Sequence, residues 1–466
     1  MATVHLEYDL VILGAGIAGL TAATTAAEAG LSVALIEKTD AIGGSSAMSG
    51  GWFAFCGTEE QRAAGVEDST AAFFRDLQEV GAHRNDPELL NAYLRAQKGT
   101  YRWLKEHGVE FGEVEISSGQ SAPRGHSTKI KTVLQTLHEH FERAGGATYY
   151  RSRGVELLKD QVGRVTSVVA ERETGRVVFD GRLGIVLATG GFSRGAELLK
   201  IFAPDQLAAI PYGGRENTGD GLRLAWKLGA GMADMSAISG TYGSHPETSD
   251  DFQELLTAYY MGAIIVNARG ERFVDESLDY KTLGKRVIVQ PQGLGYQIFD
   301  ATVRAKSHRG VALKDMDTLE DLGHIHSAET LGELAQLAGI DESALRATIE
   351  DYNAAARGER SDSFGRTSLC NGVGEVRPIE QAPFYAYPAK SLMTTTYGGL
   401  TITPEAEVTD VDGAVIEGLY AIGEVIGGFH GAGYMTGSSL GKGAVFGGIV
   451  ARAAAQRHLL LEMSEV

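Results

Sequence analysis

The feature that most limits how this chain can fold lies in its first 37 residues. An apolar run from Tyr8 to Leu13 meets the turn Gly14-Ala15-Gly16-Ile17-Ala18-Gly19, which opens an alanine-rich stretch to Glu28 closed by Gly30. This order predicts strand, tight turn and helix. A second apolar run, Val33 to Ile36, completes a βαβ unit. Glycines at such a turn let backbone N–H groups and the positive helix end face a pyrophosphate. Glu37 ends the second strand, near the spacing at which a carboxylate accepts ribose hydroxyls, and an acid there favours FAD or NAD over NADP. Lys38 beside it joins the candidate cofactor contacts.

Composition excludes several partners. The 466 residues carry 60 acidic and 42 basic side chains, a net charge of −18, which opposes capture of nucleic acid or an anionic membrane. The 61 glycines are about twice the usual share of roughly 7%. They fall in short motifs, as expected of backbone packed against a ligand. Cys56 and Cys370 form no disulfide framework and no CxxC metal pattern, so no metal is expected. With no charged leader and no 18-residue apolar run, a cytoplasmic location is expected.

The length argues for more than one domain. Helical patterns run from Ser69 to Val80, Pro87 to His107 and Ser127 to Ala144, and a β-meander from Thr148 to Val178 leads into an apolar strand at Gly184 to Ala188. The composition changes between about Met232 and Phe384, where Ala263 to Asn267 reads as a strand and Leu331 and Leu345 mark two helices. The predicted fold is α/β: a Rossmann-type domain with a β-meander, built from residues 1–231 and 385–466, and an inserted α+β capping domain at 232–384. Strands at Gly398 to Thr403 and Leu419 to Ile422 and a helix from Ser438 to Gln456 complete the larger domain.

Four motifs in order resemble the flavoprotein subunits of fumarate reductase and succinate dehydrogenase and, among their relatives, the 3-ketosteroid dehydrogenases. They are Val11 to Gly19, Gly43-Gly44-Ser45-Ser46-Ala47-Met48-Ser49-Gly50-Gly51, Ala188-Thr189-Gly190-Gly191-Phe192 and Gly418 to Val425 with Gly423-Glu424. The resemblance implies FAD, with Glu424 on the ribityl chain and Gly43 to Ser46 along the pyrophosphate and flavin. It extends the candidate contacts to Val155, Gly219, Asp220, Tyr397, Gly398 and Leu440. Ser438 and Ser439 are expected to cap the last helix and aim its N-terminus at the flavin, stabilising charge on the reduced ring. Members with tethered flavin carry histidine near position 47; Ala47 here implies non-covalent FAD.

Departures from the resemblance narrow the chemistry. The segment Gly262 to Glu276 resembles the family's capping domain, and counting from it puts Tyr280 where fumarate reductases place their proton-donating arginine, with Leu256 and Tyr259 in the proton relay. Tyr434 falls where they hold a substrate-carboxylate arginine, and Thr395 where they use histidine. A dicarboxylate would find few charged partners, and burying it unpaired is costly. Asp275-Glu276-Ser277-Leu278-Asp279-Tyr280 instead resembles the ketosteroid dehydrogenases, whose base is a tyrosine in this segment. The expectation is a desaturase acting beside the carbonyl of a small, cyclic ketone. Tyr434, helped by a nearby backbone N–H, holds the carbonyl oxygen, and Tyr280 takes the adjacent proton while flavin N5 accepts hydride. A phenol of ordinary pKa, about 10, is a poor base at neutral pH, so Tyr280 needs help from Lys281, Tyr259 or Tyr260. His430 is a possible substrate contact. Arg124, His126 and Lys129 either hold an anion or cap a helix. The alternatives are a reductase of an activated enoate double bond, an electron-relay subunit and a non-catalytic FAD module.

Overall fold

A computed structural model describes residues 4–249 and 254–465, and the chain divides into two compact units. The first comprises Met1–Ala203, Gly213–Ser239 and Thr395–Val466; the second comprises Pro204–Tyr212 and Gly240–Thr394. The longer segment of the second unit thus starts at Gly240 rather than 232 and ends at Thr394, ten residues past the 384 read from sequence. The reason is strand pairing. Phe384–Thr396 is the strand on which the second unit's sheet is built, pairing with Leu294–Asp300, and Met232–Ala233 pairs with Gly399–Leu400 of the first unit. Ile210–Pro211 joins the same sheet beside Leu392 and Met393, which draws 204–212 into the second unit.

In the first unit, Val4–Leu13 lies between Val33–Ile36 and Gly175–Leu187, both parallel to it. Ala147–Tyr149 extends one side of the sheet and Val415–Ala421 the other. The predicted turn follows Leu13, and the helix Ile17–Glu28 begins after Gly16 with no side-chain cap. Fixed glycines allow the packing: a Cβ on Gly19 would lie 1.9 Å from the Gly14 carbonyl oxygen. The terminal helix, Ser438–Glu465, presses on Ile17–Glu28 through Gly443 and Gly447, where added Cβ atoms would meet Ile17 at 2.9 Å and Ala18 at 2.7 Å.

Two expectations change. Ser127 belongs to the short strand Gly125–Ser127, paired with Trp52–Ala54, so the helix starts at Ile130. The meander and the strand at Gly184 are continuous: Gly175–Leu187 pairs antiparallel with Val165–Arg172 in its first half and parallel with Val4–Leu13 along its length.

The second unit's sheet separates two cores by strand alternation. Ile265 faces Tyr242, Tyr259 and Tyr387, while Ile264 and Val266 face Leu334, Leu345 and Ile349. The latter residues come from helices Leu331–Ala338 and Glu342–Ala356, close to where the sequence puts them. No helix among the described residues is long and apolar enough to cross a membrane.

Candidate active site

The first unit gathers the predicted cofactor motifs around the ends of its parallel strands. Glu37 Oε2 accepts the Ala15 N–H at 2.9 Å, and Oε1 accepts the N–H and hydroxyl of Thr39. The carboxylate therefore ties the glycine turn to its own strand end. Ser46 Oγ accepts the first helical N–H, that of Ile17, at 3.1 Å, leaving Ala18 and Gly19 to present the next N–H groups of an uncapped helix. Gly43, with φ +124, starts the turn Gly44–Ala47, and the Ser49 hydroxyl donates to the Ser46 carbonyl. Gly50 and Gly51 follow, and a Cβ on Gly51 would lie 2.4 Å from the Thr128 carbonyl oxygen.

A second set converges on Glu424. Its carboxylate accepts the Thr395 hydroxyl at 2.8 Å, the Thr396 N–H at 3.0 Å and the Asn217 amide at 3.2 Å. Ser45 Oγ also accepts from Asn217 and from the Gly214 N–H. Gly190 and Gly191 leave room here: a Cβ on Gly191 would lie 1.9 Å from Thr396 Oγ1. Asn217 Oδ1 and Thr189 Oγ1 are buried without a hydrogen-bond partner, a cost that a bound polar group would remove. Lys442, 1% exposed, lies 5.7 Å from the Phe429 ring centre. Burial pushes its amine down to about 8, opposed by the Glu424 charge. A glycine cradle, orphaned polar atoms and a buried ammonium fit a polyanionic flavin nucleotide.

Lys38 donates to Thr218 and Asp220 at 3.0 and 2.9 Å, and Arg153 pairs with the same aspartate. Gly219 takes φ +80 to begin the helix Asp220–Trp226. Asp220 is thus an ion-pair node fixing strand ends rather than an unengaged ligand. Val155 sits opposite a register shift between Gly154 and Glu156, where the bulge leaves it outside the paired register. Asn217, Thr396, Arg153 and Lys442 were not read as site residues. The run Glu216-Asn217-Thr218-Gly219-Asp220 and a lysine within a glycine-rich helix were the available signals.

The expected serine cap is corrected. Ser438 Oγ donates to the Met435 carbonyl at 2.7 Å, and Ser439 Oγ lies 3.4 Å from His430 Nε2, so neither hydroxyl closes the helix. Gly437, φ +88, precedes it, and Leu440 is buried in its first turn. The Gly437 N–H donates instead to the Tyr434 hydroxyl oxygen at 3.1 Å. The Tyr434 ring stacks at 6.3 Å on Tyr397, and His430 packs edge-on at 5.7 Å. Tyr397 is held by its N–H to the Ala237 carbonyl, and Gly398 is pressed against Met235.

Arg124 and His126 take no anion from solvent. Arg124 is fully buried, its guanidinium forked onto Asp68 at 2.6 and 2.7 Å and bonded to Asp76. His126 bonds Thr58 Oγ1 at 2.9 Å and the Arg124 carbonyl. Lys129 occupies the cap position of helix Ile130–Arg143 without a side-chain cap bond.

In the second unit Tyr280 opens the helix Tyr280–Val287, whose N-cap Asp279 accepts the N–H groups of Lys281 and Thr282. Glu276, buried and paired with Arg272 and Arg366, accepts the Ile265 N–H at 3.0 Å, fixing the start of this segment to the sheet. Burial and the Asp279 charge raise the Tyr280 phenol above its ordinary value. Lys281 lies 5.7 Å from the Tyr280 ring centre, its amine pushed down to about 8 by burial. Tyr259 is fully buried in the core, and its hydroxyl donates to the Tyr242 carbonyl at 3.2 Å. Leu256 is buried in the same core. Tyr260 takes a hydrogen bond from the Tyr280 backbone and is raised by burial and Cys370.

A parallel sheet carrying a glycine turn, the Glu37 carboxylate at the next strand end and the Glu424 carboxylate among Thr395, Thr396 and Asn217 frames an FAD site, and its relatives make the chain an FAD-dependent oxidoreductase of a family acting on carbon–carbon bonds. Residues 9–440 match the FAD binding domain family, to which the chain belongs. The cytochrome-type fumarate reductase of Shewanella frigidimarina is 30% identical over 90% of this chain and 72% of its own length. NADH:fumarate oxidoreductase of Klebsiella pneumoniae (strain 342) is 31% identical over 97% of this chain, which spans 48% of that protein. 4-Oxocyclohexanecarboxylate 2-dehydrogenase of Sinomonas cyclohexanicum is 29% identical over 91% of this chain and 88% of its own length. Among solved structures, the 3-ketosteroid-Δ4-(5α)-dehydrogenase of Rhodococcus jostii RHA1 with 4-androstene-3,17-dione has a TM-score of 0.77 at 27% identity, covering 96% of this chain and 97% of its own. The resemblance read from the four motifs, the α/β fold class and FAD as cofactor therefore hold.

Proposed function

We propose that this enzyme desaturates the carbon–carbon bond beside the carbonyl of a small cyclic ketone, with FAD held non-covalently. The observation that carries the reading is the Gly437 N–H on the Tyr434 hydroxyl oxygen. An N–H bonded to that oxygen polarises the phenol O–H and strengthens it as a donor to a carbonyl oxygen gaining enolate charge. A phenol suits a neutral ketone, where a carboxylate would call for a guanidinium. FAD would lie on Gly14 to Gly19, Glu37, Gly43 to Ser46, Asn217 and Glu424, and it supplies the hydride acceptor. Tyr280 takes the proton from the carbon next to the carbonyl, with the Lys281 amine 5.7 Å from its ring centre. Support comes from the ketone named for the Sinomonas relative and the steroid ketone of the Rhodococcus structure.

One observation favours the reverse direction. Burial and Asp279 hold the Tyr280 phenol protonated, which suits a proton donor in reduction of an activated double bond, the direction named for the fumarate reductase relatives. By microscopic reversibility the same residues serve both directions.

Tyr280→Phe tests the assignment. FAD content is expected to stay at wild-type level while turnover of cyclic ketones falls by at least about 100-fold, within the usual range for losing an acid–base group. Unchanged turnover removes Tyr280 from the reaction. Release of all yellow colour from acid-precipitated protein tests non-covalent attachment.

A further inference from the structure

Three helices of the first unit bring their C-terminal ends to one point that the flavin site does not use. Glu28 is the last residue of Ile17–Glu28, His107 is the C-cap of Pro87–Glu106, and His140 lies in the last turn of Ile130–Arg143. His107 Nε2 is 2.8 and 2.9 Å from the two Glu28 carboxylate oxygens, and His140 Nδ1 is 3.6 Å from Oε1. The two imidazole centres are 4.7 Å apart. One ligand atom from each residue falls within 4.8 Å of the others. Their separation in sequence hides the cluster, which is why no metal was expected from the cysteine pattern.

We propose that Glu28, His107 and His140 form a site for one divalent transition-metal ion of the zinc class. The donor set is two imidazoles and a carboxylate, which suits that ion. His107 Nδ1 lies 2.7 Å from the Trp103 carbonyl. A carbonyl only accepts, so Nδ1 carries a proton, and Nε2, which donates to Glu28 in the absence of metal, releases its proton to become the ligating nitrogen. Metal-bound histidines are oriented in this way by an outer hydrogen bond. Bonds of about 2.0–2.2 Å in a tetrahedral set put ligand atoms roughly 3.3–3.6 Å apart. Of the observed distances, 2.8 Å lies below that spacing and 3.6 Å at its upper end, and the two imidazole nitrogens lie within 4.8 Å of each other, so side-chain rotations that draw the imidazoles together admit the ion. A second, independent feature points the same way: three helix C-termini each direct partial negative charge at the cluster, and their dipoles favour a cation there. Side-chain exposures of 33% for Glu28, 11% for His107 and 27% for His140 leave an entry path and room for a water as fourth ligand. The bound ion ties the helix that follows the glycine turn to two helices remote in sequence.

Tag-free, FAD-loaded protein freed of metal with a chelator and titrated calorimetrically with zinc chloride tests this. One equivalent is expected to bind and to raise the melting temperature, with affinity at least tenfold weaker in His140→Gln and in Glu28→Gln. Both side chains are partly exposed, so folding of the variants is checked by retained flavin absorbance. His245→Gln serves as the control for the second cluster of this kind, His245, Glu247 and His324, and is expected to bind as the wild type does. Absence of saturable binding, undiminished affinity in both first-site variants, or loss only in His245→Gln overturns the proposal.

Discussion

Gly19 has no room for a side chain. A Cβ there would sit 1.9 Å from the Gly14 carbonyl oxygen, and one on Gly14, whose φ is +106, would sit 2.3 Å from the Ala188 carbonyl oxygen. Gly19→Ala is therefore expected to yield protein with little bound FAD and a lowered melting temperature, read from flavin absorbance and a thermal scan. Lys442 invites a different test. A buried ammonium near the start of the closing helix favours negative charge on reduced flavin. Replacing it with methionine is expected to make the flavin midpoint potential more negative, by about 30 mV for each 1.4 kcal/mol of charge stabilisation lost. An unchanged potential in a dye-coupled reduction places the ammonium away from the ring. Residues whose role is local were legible in sequence: the glycines of the turn and Glu37 sit at fixed spacing from one strand. The partners of Glu424 were not, because Asn217, Thr395 and Thr396 reach it only through tertiary folding.

At the scale of elements, short apolar runs kept their type wherever one partner set decides it, as at Val33–Ile36. They misled where partners change along a strand. Gly175–Leu187 leaves the meander and enters the parallel sheet without a break, and Gly125–Ser127 pairs with Trp52–Ala54 although its sequence continues into a helix. Behind that strand lies a buried charge cluster. Arg124→Met leaves Asp68 and Asp76 buried without their guanidinium, an expected loss of about 3–5 kcal/mol measurable by urea unfolding. Burial pulls the Asp76 carboxyl upward, but the Ser121 N–H and hydroxyl together with Arg124 outweigh it and hold it below its usual range. A depressed folded value means stability present above the unfolded pKa and lost as pH falls through the folded one. The wild type is thus expected to lose this contribution below about pH 4, the ordinary carboxyl range. The Arg124→Met variant loses less over the same acid interval. Equal acid limbs for the two proteins contradict the pairing.

For the whole molecule, the chain crosses four times between its two units, so boundaries read from composition fell short of those set by strand pairing. The cofactor motifs all fall within one unit, where local spacing along the chain makes them visible in sequence. The proposed chemistry of Tyr434 and Tyr280 was legible only through departures from the fumarate reductase pattern. The direct test is anaerobic titration of the yellow protein with saturated cyclic ketones. Bleaching of the oxidised flavin with matching formation of conjugated enone is expected, and no bleaching in Tyr280→Phe. Flavin that stays oxidised with every ketone, yet is reoxidised from its reduced form by enoates, would contradict it.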